Sequence, residues 1–114
     1  MGTERYGTYE SFWPFYVSQH LNATNRGLHF VGTTLVWVSA VAALALHPAW
    51  LLAAPFAGYG FAWVGHYFVE RNRPATFTYP LWSLRADFRM YRLMLVGAMG
   101  PEIARARQLG IQGS

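Results

Sequence analysis

The chain has 114 residues, no cysteine and a formal net charge of +4. That length allows a single domain, and the lack of cysteine excludes a disulfide framework, a thiolate metal site and a thiol nucleophile. Hydrophobic residues make up 54 % and charged residues only 12 %, about half the charge of an ordinary soluble domain. All nine basic residues are arginines without a basic repeat, so membrane headgroups are expected as partners and nucleic acid is not.

Residues 9–21 read as an aromatic amphipathic helix, with Phe12, Trp13, Phe15 and Tyr16 suited to the headgroup boundary. Pro14 is expected to kink it or to mark its true start. No secretory leader is expected, because Met1-Gly2-Thr3-Glu4-Arg5 runs into this aromatic segment and not into a smooth aliphatic one. A polar break follows, from Leu21 through Asn22 and Asn25 to Gly27.

From Gly27 to Val69 there is no Asp, Glu, Lys or Arg, a stretch about twice the roughly 20 residues that a bilayer crossing needs. Two transmembrane helices are predicted, 28–47 and 50–70, joined by a turn at His47-Pro48. Gly58, Gly60 and Gly65 would let the second helix approach a neighbour closely, either within the hairpin or across a homodimer. Prolines at Pro74 and Pro80 bound a loop, after which residues 81–95 carry Leu81, Leu84, Phe88, Tyr91 and Leu95 at helical spacing, with Arg85, Arg89 and Arg92 on another face. That is the pattern of an interfacial helix, followed by a tail at 101–114. The expected fold is therefore an all-α membrane protein, a transmembrane hairpin with interfacial helices before and after it. Arginines lie on both outer sides of the two crossings and none in the turn, so both termini are expected in the cytoplasm.

Folding the hairpin about Pro48 brings His29 and His66 to one level, roughly 27 Å from the tip at the α-helical rise, and leaves His47 at the tip. Glu70 follows His66 by one helical turn, and His20 can fold back through the polar break. Three imidazoles and a carboxylate without thiolate suit iron, zinc or manganese. Asp87 can orient a histidine or pair with an arginine of its own helix. Arg26, Arg71 and Arg73 lie just outside this cluster, where they can hold a carboxylate or reach lipid phosphates. Met90, Met94 and Met99 suit packing or lipid contact.

The pattern His20-x-Asn22-x-x-x-Arg26-x-x-His29-x-x-Gly32, followed by Gly65-His66-x-x-x-Glu70-x-Asn72-Arg73-Pro74-Ala75-Thr76, resembles the 2-hydroxy fatty acid dioxygenase family of fatty-acid alpha-oxidation. The resemblance covers roughly residues 9–91, and its second block is the more specific. It implies an Fe(II)-dependent membrane enzyme that uses O2 to shorten a 2-hydroxy fatty acid by one carbon, with eukaryotic members in the endoplasmic reticulum membrane; a bacterial member would sit in the cytoplasmic membrane. Carried onto this chain, it makes His20, His29, His66 and Glu70 the iron ligands, ahead of zinc or manganese. Asn72 and Asp87 join the chemistry, and Arg26, Arg71 and Arg73 meet the substrate. A zinc-dependent membrane hydrolase with the same ligands and a non-catalytic lipid-binding protein are the alternatives.

Overall fold

The computed structural model describes residues 6–109; Arg5 and the last part of the expected tail, 110–114, lie outside them. The described residues are helical, with no strand. Helix α1 spans Tyr9–Ser18, α2 Ala23–Ala45, α3 Ala53–Val64, α4 Pro80–Leu95 and α5 Met99–Gln108. A 3-10 turn at Pro48–Leu52 leads into α3, and a π-helical turn at Gly65–Glu70 continues it. A second 3-10 turn, Ala75–Phe77, precedes α4.

Local chemistry sets these boundaries. Thr8 Oγ1 accepts from the Ser11 backbone N–H at 3.1 Å and the Ser11 hydroxyl answers the Thr8 N–H, a reciprocal cap that starts α1 upstream of Pro14. Pro14 thus lies inside the helix. The Asn22 carboxamide accepts from Thr24 N–H at 2.8 Å and starts α2. His47 Nδ1 accepts from Ala49 N–H at 3.0 Å, so this histidine caps the turn at Pro48 and takes no part in the cluster.

Helix α2 packs antiparallel to α3, since contact positions on α3 fall as those on α2 rise. Asn25 meets Gly65, Gly32 meets Ala57 and Phe61, and Val36 meets Gly58. Gly32 is buried there, and a Cβ on it would stand 3.0 Å from the Ala57 carbonyl and 3.1 Å from Phe61 Cβ. Close approach of two apolar helices through small residues is the packing that works in lipid. Thr34 Oγ1 bonds its own helix at the Phe30 carbonyl and also meets Tyr91 Oη at 3.0 Å, tying α2 to α4.

Among the described residues, α2 is the one helix long and apolar enough to cross a membrane. Only 17 % of its most apolar stretch is buried within the protein, whereas the core helix of a soluble domain would be largely covered. Leu44, Leu46 and Leu52 around the connection between α2 and α3 are exposed, as is Phe56.

The aromatic face of α1, expected at the headgroup boundary, is covered by the protein itself. Tyr9, Phe12, Trp13 and Tyr16 are buried against Tyr79, Ala86 and Met90 together with Met99 and Ala106 of α5. The tail helix is what closes this core: Glu102 Oε1 accepts from Trp13 Nε1 at 2.8 Å. On α4 the inward stripe is Ser83, Ala86 and Met90, while Leu81, Leu84 and Leu95 are exposed. Arg85 and Arg89 cover α1, with guanidinium carbons 3.9 Å from the Tyr9 ring centre and 4.1 Å from that of Trp13.

Replacing Gly32 by Leu forces α2 and α3 apart and should lower stability in detergent by about 1–3 kcal/mol. Gly60→Ala, at a position where a Cβ meets nothing within 4 Å, should leave the thermal unfolding midpoint nearly unchanged.

Candidate metal centre

Each of three helical segments supplies one histidine. His20 stands just past the end of α1, His29 in the second turn of α2 and His66 in the π-helical turn that continues α3. All three are buried. Their ring centres lie 4.5, 4.6 and 4.9 Å apart, and one nitrogen from each falls within 4.8 Å of the others.

The tautomers follow from the partners. His20 Nδ1 lies 2.6 Å from the Tyr16 carbonyl and His29 Nδ1 lies 3.0 Å from the Asn25 carbonyl. A backbone carbonyl can only accept, so both Nδ1 atoms carry the proton. His66 Nδ1 lies 2.6 Å from Asn72 Oδ1, while Asn72 Nδ2 donates to the Gln19 carbonyl at 3.0 Å. That second bond fixes the amide orientation, and His66 Nδ1 must also donate. In the neutral rings every Nε2 is then a lone-pair donor to a metal. His20 Nε2 and His29 Nε2 face each other at 3.2 Å, two acceptors in contact, an arrangement that a cation between them relieves. Burial, with His29 and His66 alongside, holds the His20 imidazole well below its usual range and keeps it uncharged. The residues present therefore fit a metal of the imidazole-binding class.

The scaffold behind the rings is specific. Asn72 reaches back to His66 because Arg71 adopts the left-handed conformation, φ 61° and ψ 47°, and the Asn72 N–H bonds the His66 carbonyl at 2.9 Å. Gly65 must lack a side chain, since a Cβ there would fall 1.9 Å from Asn25 Oδ1. Arg26 Nη1 donates to the carbonyls of His20 and Leu21 at 2.8 and 2.9 Å, which pins the bend carrying His20. This hydrogen bonding ties Arg26, expected at a substrate, to the chain bend.

Glu70, expected as the fourth ligand, is not in the converging group. Its Oε1 accepts from the Asn22 N–H at 2.9 Å and from Asn25 Nδ2 at 3.3 Å. The expected one-turn alignment with His66 assumed an α-helix, and the wider π-helical turn rotates Glu70 relative to His66. Glu70 thereby braces the start of α2, whose Asn25 carbonyl holds His29. Arg71 and Arg73 are exposed on the following loop, with Arg73 over Phe77.

A cavity of about 20 Å³ lies against the three histidines, room on the order of one water. Tyr16, Ser83 and Asp87 also border it. Asp87 does not contact a histidine through a hydrogen bond; its Oδ1 accepts from Tyr16 Oη, and the Tyr16 ring stacks on His20 with centres 4.1 Å apart. Burial pushes the Asp87 carboxyl up to about 7, against the Tyr16 hydrogen bond, which pulls it down. Burial and the Asp87 charge hold the Tyr16 hydroxyl well above its usual range, so it keeps its proton. Ser83 Oγ is buried without a hydrogen-bond partner. Neither Tyr16 nor Ser83 was expected at the site, because Tyr16 reads as one of a row of headgroup-boundary aromatics and Ser83 as a small residue on an interfacial helix.

Asn72→Ala removes the acceptor for His66 Nδ1 and should weaken metal binding about 10- to 100-fold, read by titration of the metal-free protein. Gly65→Ala should displace Asn25, loosen the hold on His29 and lower metal content in the purified protein.

No curated protein and no solved structure matches this chain. Residues 6–99 match the family described as 2-hydroxy-palmitic acid dioxygenase Mpo1-like. With that match over most of its length and three convergent imidazoles at the positions of the family-like motif, the chain belongs to the Mpo1-like family.

Proposed function

We propose that this protein is an Fe(II)-dependent dioxygenase that cleaves the C1–C2 bond of a 2-hydroxy fatty acid. The 2-hydroxy acid and O2 would give the one-carbon-shorter acid, CO2 and water, a balance that consumes the full oxidising capacity of O2 and needs no external reductant. The observation that carries this reading is the buried set of three neutral imidazoles with outward Nδ1–H bonds and convergent Nε2 atoms, together with the family membership.

His20, His29 and His66 would hold the iron, which when bound supplies the oxygen chemistry. Asn72 and the carbonyls of Tyr16 and Asn25 keep the three rings turned toward one point. Glu70 supports this shell from behind. Ser83 and Asp87 stand one helical turn apart on α4 beside the same cavity and receive the polar head of the substrate. The free Ser83 hydroxyl donates to it, and Asp87, whose Oδ1 is taken by Tyr16, accepts the proton of the 2-hydroxyl on Oδ2. Burial of this cavity under α1 and α4 limits the access of bulk water.

The hairpin of α2 and α3 crosses the bilayer in this reading, with both chain ends on the arginine-rich cytoplasmic side. The charge-free stretch 27–69 and the exposed leucines of the hairpin support it. The acyl substrate then comes from the membrane itself.

Purified protein should contain iron and consume O2 when a 2-hydroxy fatty acid is added. His66→Ala should abolish both while the protein still inserts in membranes; full iron content and turnover in that variant would sink the assignment. Three histidines are also the ligand number of a catalytic zinc site, and zinc without O2 uptake would make the protein a hydrolase. Asp87→Asn should retain iron and lower kcat by about 100-fold or more, measured by O2 uptake under saturating substrate.

A further inference from the structure

A second cavity, about 200 Å³ in volume, lies between α2, α3 and α4. Two residues of the metal centre, His29 and Asp87, line it as well as the smaller cavity. Tyr59 and Ala62 are likewise common to both. Thr33 and Val36 continue the wall from His29 at one-turn steps along α2. On the facing helix the wall is Ala62, Gly58 and Ala54, again one turn apart. Because α2 and α3 are antiparallel, both series run the same way, from the histidines toward the turn at Pro48. Leu84 and Phe88 of α4 roof it.

The space exists because the α3 stripe is small, and its polarity is graded. His29, Thr33 and Asp87, with Tyr59 common to both cavities, make one end polar, and the other side chains of the wall are hydrocarbon up to Ala54 and Pro55. From Ala62 to Ala54 is about 12 Å at the α-helical rise. An extended chain gains about 3.5 Å per three bonds, so the groove seats on the order of ten carbons. A long amphiphile with an oxygen-bearing head and a saturated tail matches that gradient, whereas a polar substrate would leave the far end unmatched.

We infer that this groove holds the acyl tail of the substrate, with its head at His29 and Asp87 and its tail running along Ala62, Gly58 and Ala54, and that this stripe sets chain-length preference. The inference rests on the proposed 2-hydroxy acid chemistry for the head, and assigns to α3 and α4 a role that the metal centre does not need. Leu84 and Phe88, which periodicity gave to a lipid-facing stripe, become the roof over the tail.

Two plugs at different depths test it. Ala54→Phe, at the far end, should raise KM for a long-chain 2-hydroxy acid by about tenfold or more and leave a short-chain one nearly unchanged, because only the longer tail loses buried methylenes. Ala62→Phe, beside the metal centre, should impair both, with iron content and thermal stability as in the parent protein. Equal effects of Ala54→Phe on both lengths, or no effect on either, would overturn the groove.

A second measurement does not depend on turnover. A fatty acid carrying a diazirine near its methyl end should label Ala54, Gly58, Leu84 or Phe88, and excess unlabelled 2-hydroxy acid should compete. Labelling confined to outward residues such as Leu44 and Phe68, without competition, overturns the groove whatever the reaction is. Competed groove labelling without O2 uptake for any 2-hydroxy acid upholds the groove and rejects the reaction.

Discussion

Three imidazole Nδ1–H groups donate to three carbonyl oxygens, and most of the structure serves to put those oxygens in place. Two of them are backbone carbonyls one turn upstream of their histidines, Tyr16 before His20 and Asn25 before His29. The Tyr16 carbonyl at the end of α1 shares the Gln19 N–H, at 3.1 Å, with its neighbours and has a lone pair left for His20. The one inside α2 has a second lone pair to give. His66 has its acceptor on a side chain, and that demands a chain reversal at Arg71 and a loop that buries Asn72, Pro74 and Ala75 while Arg73 stays exposed. The price of a fixed tautomer is thus a strained residue, an obligatory glycine and a buried amide, all within ten residues.

The remaining helices make that arrangement rigid. The segment α1 carries His20 on its end, so any rocking of α1 would move one vertex of the triangle. Its aromatic face is clamped by α4 and by α5, with Arg85 and Arg89 over the rings and Glu102 on the Trp13 indole. Helix α4 then has two duties. Its inward stripe approaches α1 closely, and Ser83 of that stripe with Asp87 beside it borders the cavity at the histidines while Leu84 and Phe88 cover the groove. One amphipathic helix therefore borders both the polar cavity at the histidines and the apolar groove.

Much of the site is legible in the sequence. Counting from Pro48 pairs His29 with His66 and sets His47 aside, because an antiparallel hairpin fixes level by residue number alone. The roles of Glu70 and Arg26 were not legible. A π-helical turn has the same composition as an α-helical one, and whether a guanidinium meets a ligand or a backbone carbonyl depends on where the neighbouring chain passes. The aromatic segment misled in a similar way: a row of Phe, Trp and Tyr at helical spacing suits a headgroup boundary and a protein core equally, and only the presence of α4 and α5 over it decides.

What the sequence by itself determined is one-dimensional: the charge-free stretch, the turn at its centre, the residues level with one another across that turn, and the motif that carries the family. These depend on spacing and on transfer of side chains from water, which are local properties. The tertiary structure decided which nitrogen of each histidine faces inward, which acid lies outside the histidine cluster and where a groove opens beside it. Those depend on third parties, a carbonyl of Gln19, a glycine at 65 and a stripe of small residues on α3, whose effect arises only when distant segments meet.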